Sequence, residues 1–380
     1  MFQGGITMRL LCGPKIPVPA PAPLMESLQK VEVTHSDEER SGFQLTFSVS
    51  EAGSVGTIGR KKLMKTLLGE YNRVSLMVVF GAKARSLIDG VITNRQLKPG
   101  EEPGQATLII TGEDATYYLD RDEESTSHPG QPHAAVALKL IGKHAKHGLV
   151  PKVIPPGFVD PPNPIDGVPT QQGTDLAYLR KLAQQNGYVF YISPGKAPLA
   201  SEAYWGPPIR TGPPQSALTV NMGPESNVDS IDFQQDSTKA KKVEGQVQDP
   251  KTGAQMPIPA RPSTRTPLSA KPPWLKQFGN IGTRRIRVSG KSMGQAMAEA
   301  QAQTDKSMDE VVKASGTLDA VAYGDILRPR KLVGLRGAKF DHDGIYYVKS
   351  VTHKLQPGQY KQDFKLTREG LGSTVSTVPA

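Results

Sequence analysis

Residues 174–192, TDLAYLRKLAQQNGYVFYI, constrain the fold more than any other stretch because they encode a helix, its end and a strand. Thr174 can cap the helix, and Asp175 places a negative charge in the first turn, where the helix dipole is positive. Apolar side chains recur on one helical face, at Leu176, Leu179, Leu182 and Ala183. That periodicity predicts a face that is buried.

Asn186-Gly187 is the signal that ends this helix, since glycine accepts the left-handed conformation needed just past a helix end. The aromatic and β-branched run at 188–192 then indicates a strand that turns back onto the helix. We expect a local core formed by Leu176, Leu179, Leu182 and either Phe190 or Tyr188. The stretch contains no nucleophile, metal-ligand set or phosphate loop, so it predicts architecture rather than chemistry.

A first β-rich region is predicted over residues 25–130. Val31 and Val33 alternate with polar residues, SDEERSG supplies a turn, and alternation resumes from Phe43 to give a hairpin. Further strands are expected at 74–80, 86–93 and 105–111, followed by a short helix and a loop in the acidic stretch 113–125. The preceding residues, 1–24, are expected to form a proline-rich arm, with polyproline II conformation at 14–23.

Two further regions follow in the chain. Residues 131–215 are predicted to form an α/β insertion that contains the opening stretch and a helix at 134–146. Residues 216–370 are predicted to form a second β domain, and residues 371–380 a flexible tail. The expected elements of the second domain are a helix at 292–307 and strands at 218–222, 228–233, 243–248, 284–288, 311–319, 326–328, 331–335, 344–352 and 359–367.

The positive charge of the chain is concentrated in one segment. The formal net charge is +10, and residues 236–291 contain 12 Lys or Arg against 3 Asp or Glu, so this segment carries almost all of the excess. Because it is also rich in Pro, Gly and Thr, we expect a basic loop at about 249–283. Trp274, Leu275 and Phe278 are candidate anchors for that loop.

Composition also limits the compartment and the class of protein. The single cysteine, Cys12, excludes an intrachain disulfide and a multi-cysteine metal site. The amino-terminal residues lack the apolar region of a signal peptide, and no run approaches the ~18 apolar residues of a membrane span. We therefore expect synthesis in the cytoplasm without a signal peptide.

Histidines cluster between residues 128 and 147. The four are His128, His133, His144 and His147, and the last two are three residues apart on a predicted helix. Such spacing can hold zinc, but a closed site needs four ligands with supporting partners, and the helix is equally well explained without metal. Solvent-facing histidines are the favoured interpretation, and we predict no metal site.

Paired carboxylates raise the alternative of a peptidoglycan hydrolase. The candidates are Asp114, Glu123, Glu124, Asp341 and Asp343. The sequence Asp341-His342-Asp343-Gly344 falls between predicted strands, where Asp and Gly make turns. We favour the turn and predict no catalytic residue and no cofactor site.

The basic segment raises the alternative of nucleic-acid binding, with Lys239, Lys241 and Lys242 as candidate phosphate contacts. Aromatic residues are not interleaved with these charges, as a stacking platform requires. A solvated loop, or one that docks on an acidic neighbour, is favoured.

Several separate motifs together resemble one family, the hub proteins at the centre of contractile-tail baseplates. This family includes the T4-type hub, phage late-control protein D and the amino-terminal half of VgrG spikes. The helix and strand at 174–192 are typical of it. The other motifs lie in family order between residues 28 and 368: FQLTFSV, TLIITGEDATYYLDR, VEGQVQDPKTG, AMAEAQAQ, GDILRPRKLVGLRG, DHDGIYYVKSVTH and YKQDFKLTR.

The resemblance implies an α+β, mainly β fold, in which two tail-tube-like β-barrels flank an α/β insertion and three chains assemble as a ring. It implies a structural adaptor that joins a six-fold tail tube to a three-fold spike in a virion or injection particle. The implied partners are two further copies, the tail tube ring, a spike and wedge or sheath-initiating proteins. The spike is expected on a separate protein, because the chain ends at Ala380. Nucleic acid would be involved only as phage DNA passing through the channel.

Overall fold

The computed structural model describes residues 5–14, 16–37, 39–50, 62–101, 105–157, 169–195, 199–248 and 253–378. Strands make up 49% and helices 23% of the structure, so the expectation of a mainly β protein is confirmed. Residues 249–252 of the expected basic loop and residues 1–4 and 379–380 of the two chain ends lie outside the described residues.

Seven strands and two helices form the amino-terminal third. They are β1 (Ile6–Gly13), β2 (Val18–Pro19), α1 (Ala22–Glu26), β3 (Leu28–Ser36), β4 (Gly42–Ser50), α2 (described over 62–67), β5 (Arg73–Phe80), β6 (Lys83–Pro99) and β7 (Gln105–Asp114). The β3–β4 hairpin predicted from alternation is present, with Val33 opposite Phe43.

Five strands and two helices form the middle of the chain. They are β8 (Glu123–Ser127), α3 (His133–Lys143), β9 (Leu149–Val153), β10 (Thr170–Thr174), α4 (Asp175–Gln185), β11 (Val189–Pro194) and β12 (Ser201–Gly206). A short 3-10 helix, Ala115–Leu119, precedes β8, so a strand stands where the sequence suggested a loop.

The last part of the chain contains the remaining elements. They are β13 (Gln215–Thr219), β14 (Val228–Gln235), β15 (Lys241–Gln248), β16 (Gln255–Ile258), β17 (Ser269–Lys271), α5 (Pro273–Lys276), β18 (Gly282–Ser289), α6 (Met293–Met308), β19 (Val312–Asp319), α7 (Ala320–Tyr323), β20 (Leu332–Arg336), β21 (Gly344–Gln356), β22 (Gln359–Arg368) and β23 (Leu371–Ser373). The strand expected at 326–328 is not formed, because the backbone N–H groups of Leu327 and Arg328 donate to the side chains of Gln362 and Gln215 instead of to a neighbouring strand.

One 13-stranded sheet joins the two β regions. Its main path runs β14-β19-β22-β21-β3-β4-β7-β6-β5-β1-β2, and β13 and β20 extend it from β21. The junction is the antiparallel pairing of β3 with β21, from Val31 opposite Leu355 to Ser36 opposite Ser350. The expectation of two β-barrels needs correction, because the described strands form a continuous open sheet and no closed barrel. We call the β3–β21 pairing the seam.

Two large hydrophobic cores nevertheless underlie this single sheet. The first lies under the amino-terminal strands and includes Leu45, Phe47 and Leu76, all fully buried. The second lies under the carboxy-terminal strands and includes Tyr346 and Leu366. Residues after 319 enter the first core as well: Ala320, Ile326, Leu355 and Tyr360. The two β regions are therefore interlocked, which sequence alternation alone did not indicate.

The opening stretch has the predicted conformation. Thr174 Oγ1 accepts a hydrogen bond from Ala177 N at 3.2 Å, and Gly187 has φ +66° just past the end of α4. The predicted apolar face is buried against the three-stranded sheet β11-β12-β9, with Leu179 fully buried. Phe190 is in the same core and Tyr188 packs against its edge.

Much of the segment expected as a basic loop is ordered into secondary structure. Strands β16, β15 and β18 form a small sheet, which packs on α6 through a core of its own. The α6 helix begins with a capping box between Ser292 and Gln295. Of the three expected anchors, Trp274 and Phe278 pack on the second core, whereas Leu275 is 68% exposed.

Both chain ends contribute to the fold. Strand β1, inside the segment expected as an arm, pairs with β5 along all eight of its residues. Strand β23, inside the segment expected as a flexible tail, pairs with β17, and Val378 is buried beside Gly334. Both strands pair with segments distant in the sequence, so local sequence does not reveal them.

Candidate functional site

The two ends of the main path of the 13-stranded sheet expose strand edges. Among the described residues, β14 pairs only with β19. At the other end, β2 covers β1 only at Leu11 and Cys12, so the outer edge of β1 is open from Ile6 to Arg9. Unpaired strand edges are templates for pairing with another chain. These two edges are the first candidate assembly surface.

The face of the main sheet that points away from the two cores is rich in hydroxyl and amide side chains. Register places the following residues on this face, and we call it the polar face: Thr34, Gln44, Thr46, Thr107, Thr111, Ser230, Ser315, Thr317, Ser350 and Thr352. At the seam, the hydroxyls of Thr34 and Thr352 lie 3.1 Å apart.

Several charged side chains on the polar face are paired. Lys354 Nζ lies 2.5 Å from Asp363 Oδ2, and Lys361 Nζ lies 2.8 Å from Asp319 Oδ2. These ion pairs are partly exposed, so their contribution to stability is small. Their main effect is to leave the face close to neutral around its centre.

Arg330 joins all three parts of the chain. Its guanidinium donates to Ile192 O of β11 at 3.2 Å and to Ser41 Oγ of the β3–β4 turn at 3.1 Å, and it lies 4.0 Å from the centroid of the Tyr191 ring. It also donates to Ser36 O. The side chain is fully buried, and burial lowers the pKa of Arg330 from its ordinary value. The motif GDILRPRKLVGLRG gave no indication of this role.

A second buried charge network ties the insertion to the carboxy-terminal strands. Arg210 Nη1 donates to Asp309 Oδ1 at 2.8 Å, and its Nη2 donates to the fully buried Glu369. Glu369 Oε1 also accepts from the backbone N–H groups of Leu268 and Ser269. Burial raises the pKa of Asp309, and the nearby guanidinium groups of Arg265 and Arg210 oppose that rise. A buried ion pair with every oxygen satisfied fixes geometry well.

A cleft of about 660 Å³ lies between α4 and α6. Its wall contains Arg265, whose Nη2 donates to Gly187 O at 2.8 Å and whose Nε lies 3.4 Å from Asp309 Oδ2. Arg180 and Glu299 line the same cleft. Arg265 thus bridges the end of α4 to the end of α6. We therefore describe the cleft as the joint between the insertion and the second β region.

The four predicted histidines occupy separate environments. His144 Nε2 lies 2.7 Å from Asp175 Oδ2, His133 Nδ1 accepts from the side chain of Asn186 at 2.8 Å, and His147 stacks on Tyr118. His128 is fully buried, 3.5 Å from Gln171, which contradicts its expected solvent-facing position. No three His, Cys, Asp or Glu side chains in the described ranges are grouped as metal ligands.

Asp175 has a second role that sequence reasoning missed. It begins α4 as predicted, but its side chain is 4% exposed and also accepts from Gln171 Nε2 at 2.7 Å. Burial raises the pKa of Asp175, but hydrogen bonds from His144 and Gln171 outweigh this effect and leave the pKa below its ordinary value. In the sequence, only the histidine pair at 144 and 147 gave a signal that a partner for Asp175 lay at the end of the preceding helix.

The predicted carboxylates are dispersed over different structural roles. Asp114 is buried and accepts from Thr116 N at 3.0 Å, and Glu124 on β8 binds Lys143. Asp341 accepts from Lys271 Nζ, and Asp343 accepts from Ala338 N at 2.8 Å. The last two belong to a turn with the 3-10 helix Phe340–His342, as the Asp-His-Asp-Gly sequence indicated. Glu123, the remaining candidate, is exposed on β8.

The three predicted lysines lie at the start of β15. Lys239 and Lys241 are exposed, whereas Lys242 packs over the Phe278 ring at 4.9 Å from its centroid. Lys242 therefore fixes α5 and the residues after it onto the small sheet.

Within the described ranges, no helix is long and apolar enough to span a membrane.

Solved structures of phage tail proteins share this fold. A tail protein from Neisseria meningitidis matches with a TM-score of 0.63 at 14% identity, over 97% of this chain and 98% of that chain. The 43 kDa tail protein of prophage MuSo2 from Shewanella oneidensis matches with a TM-score of 0.65 at 12% identity, over 96% and 99%.

A component of the E. coli type VI secretion system, with structural similarity to the T4 bacteriophage tail proteins gp27 and gp5, matches with a TM-score of 0.56 at 11% identity, over 93% of this chain and 76% of that chain. No protein-family model matches the sequence, and no curated protein does. At these identities the likeness establishes the fold. It confirms, at the level of the fold, the resemblance that the motifs indicated.

Proposed function

We propose that this chain, which has the fold of phage tail and type VI secretion components, is the structural baseplate hub of a contractile tail or a phage-derived injection particle. The observation that carries the proposal is the continuous sheet, which runs through the seam and has an exposed strand edge at each end. A sheet whose described strands leave two open edges is suited to assembly with further copies of itself.

The proposed assembly is a homotrimeric ring. In it, the β14 edge of one chain lies against the β1 edge of the next, which is a head-to-tail contact that closes after three copies. Each chain supplies two β regions, so three chains place six such regions around an axis. Such a ring can present a six-fold surface to a tail tube and a three-fold surface to a spike.

The polar face is proposed to line the channel of this ring. Its threonine, serine and glutamine side chains and its paired charges offer no extended positive surface to bind a polyanion. Phage DNA or another cargo would therefore pass without strong retention. The proposed partners are the tail tube ring, a separate spike protein and wedge or sheath-initiating proteins, and the proposed location is the assembled particle.

The proposed role is mechanical and does not include catalysis. Support comes from the engagement of Asp114, Glu124, Asp341 and Asp343 in capping, ion-pair or turn contacts. Arg330 and the Arg210–Glu369 pair support it further, because they couple the insertion to the sheet and allow force to pass between them.

Disulfide trapping tests the ring. The paired variants are Thr7→Cys with Asp232→Cys, and the displaced pair Arg9→Cys with Ser230→Cys, all at exposed positions on the two open edges. Oxidation should yield a covalent trimer for at least one pair. The native Cys12 is buried and does not compete.

Each single-cysteine variant is the matched control and should yield no covalent trimer. If all four introduced thiols react with maleimide in the intact protein and no pair cross-links at micromolar concentration, the edge-to-edge ring is wrong.

A further inference from the structure

Strand β18 presents a second kind of open edge, outside the main sheet. It pairs with β15 in parallel at eight consecutive positions, from Gly282 opposite Lys241 to Ser289 opposite Gln248, without a bulge. Within the described part of the chain, β15 is its only partner strand. The other side of β18 is therefore a straight row of backbone donors and acceptors eight residues long.

The opposite edge of the same small sheet, unlike β18, is protected from pairing with another strand. That edge is β16, which is four residues long and contains Pro257. Proline cannot donate a backbone hydrogen bond, and short strands are poor templates for pairing. Strand β18 has neither device, since GTRRIRVS contains no proline.

The open edge of β18 is strongly basic. Arg284, Arg285 and Arg287 are all exposed, and the side chain of Arg285 is 86% exposed. Glu244 lies 3.1 Å from Arg285, but Arg284 and Arg287 have no hydrogen bond or ion pair with a described residue. The exposed Lys241, on the neighbouring strand β15, lies beside Gly282 at the start of β18. Arg284 and Arg287 therefore offer positive charge without a local counter-charge, and Arg285 remains largely exposed beside Glu244.

The inner face of β18 holds this edge in place. Ile286 and Val288 pack towards α6 on the core that contains Val247 and Ala300. Side chains alternate across a strand, so Arg285 and Arg287 share the outer face about 7 Å apart. The Cβ atoms of the two arginines are therefore held at fixed spacing by a supported strand.

We infer that β18 is a docking site for an extended acidic segment of a partner protein, which adds to its open edge as a further strand. The added backbone would complete the hydrogen-bond ladder, and acidic side chains at alternate positions would pair with Arg285 and Arg287. This inference goes beyond the hub role and does not require the trimeric ring.

Charge decides between the possible occupants. A second copy of β18 would place arginine opposite arginine, so pairing between identical edges is disfavoured. Nucleic acid would satisfy the charges but cannot use the backbone ladder, and Phe278, the nearest aromatic ring of the segment, is already covered by Lys242. An acidic peptide in extended conformation uses both features of the edge.

The test uses the full chain and a fluorescent twelve-residue peptide of alternating glutamate and valine. Two N-methylated forms of this peptide carry methyl groups on alternate residues, which block the donors on one edge or on the other. The protein variant is the double charge reversal Arg285→Glu with Arg287→Glu, and Arg261→Glu is the matched reversal on the far side of the same segment. Circular dichroism and thermal unfolding check that both variants fold.

We expect the unmodified peptide to bind. One N-methylated peptide should bind at least tenfold more weakly, and the other should keep the affinity of the unmodified peptide. The double reversal should weaken binding about tenfold or more, and Arg261→Glu should leave it within about twofold. Equal binding by both N-methylated forms would show that no ladder forms. Equal or tighter binding of single-stranded DNA of matched charge, lost in the same variant, would identify the edge as a nucleic-acid surface instead.

Discussion

Leu179 is the residue on which the buried face of α4 depends. It is fully buried, and its carbonyl accepts a hydrogen bond from Trp205 Nε1 at 3.2 Å. Leu179→Asp would place a carboxylate among apolar side chains and should lower the free energy of unfolding by about 4 kcal/mol or more. Ala177→Asp, exposed on the same helix, is the control and should fold normally. Chemical denaturation of the two variants measures the difference, and a fully assembled Leu179→Asp protein would show that the buried face is misplaced.

Arg330 is the residue that couples the three parts of the chain. Replacing it with methionine keeps much of the volume but leaves buried acceptors at Ile192 and Ser36 without their donor. We expect a loss of about 3 kcal/mol or more in the free energy of unfolding. Arg328→Met is the control, since the Arg328 side chain is partly exposed. Similar stability of the two variants by urea titration would contradict the coupling role.

His35 and His353 form a buried pair at the seam, with ring centroids 6.0 Å apart. Burial lowers the pKa of His35 to about 3, and nearby Arg330 adds to that effect. Burial also lowers the pKa of His353 well below its ordinary value. His35 Nε2 lies 2.7 Å from Leu87 O, and His353 Nδ1 lies 2.9 Å from Tyr360 Oη. Both rings are therefore neutral in the folded protein at neutral pH.

Stability should fall on acidification because of this pair. Below about pH 6.5 the unfolded chain binds protons at both histidines and the folded chain does not, so the free energy of unfolding decreases as the pH falls towards the folded-state values. For His35 the loss by pH 5 should be about 2 kcal/mol. Urea titrations at pH 7.5 and 5.0 should show a larger loss for the native protein than for His35→Gln. Identical losses would contradict the neutral buried ring.

Elements set by local pattern were predictable, and those set by distant partners were not. The β3–β4 hairpin and the end of α4 at Gly187 follow from alternation and from turn chemistry. The seam joins Thr34 to Thr352, which are 318 residues apart, and no periodicity within a strand reports such a pairing. The same reason explains why two barrels were expected where one open sheet exists.

The candidate functional segments were also predictable only where local preferences decide their structure. The Asp341–Asp343 turn was read correctly, because Asp and Gly have local turn preferences. The segment at 249–283 was read as a loop from its composition, although β16, β17 and α5 lie within it. Its order depends on α6 and on the packing of Trp274 and Phe278, which composition does not encode.

The two tryptophans report separately on two of the connected elements. Trp205 is fully buried in the insertion core, and Trp274 packs on the second core of the sheet. Because Arg330 and Arg210 tie these regions together, the fluorescence midpoint of unfolding should coincide with the far-UV circular dichroism midpoint in the Trp205→Phe protein, and likewise in the Trp274→Phe protein. Well-separated midpoints would show that the insertion unfolds independently, and the two charge networks would then not couple it to the sheet.

At the scale of the whole molecule, the chain combines a rigid body with several unsatisfied edges. The seam and the buried networks of Arg330 and Arg210 hold the body together. Within the described ranges, the edges of β14 and β18 and most of the outer edge of β1 have no partner strand. This division fits the proposed hub role, in which the chain connects other components.

The central claim is that the open sheet closes into a ring of three chains. Single-particle electron microscopy of the purified protein at micromolar concentration tests it most directly. We predict a three-fold ring in which β14 of each chain lies against β1 of the next and the polar face lines the central channel. Particles of one chain, with both edges free, would contradict the account.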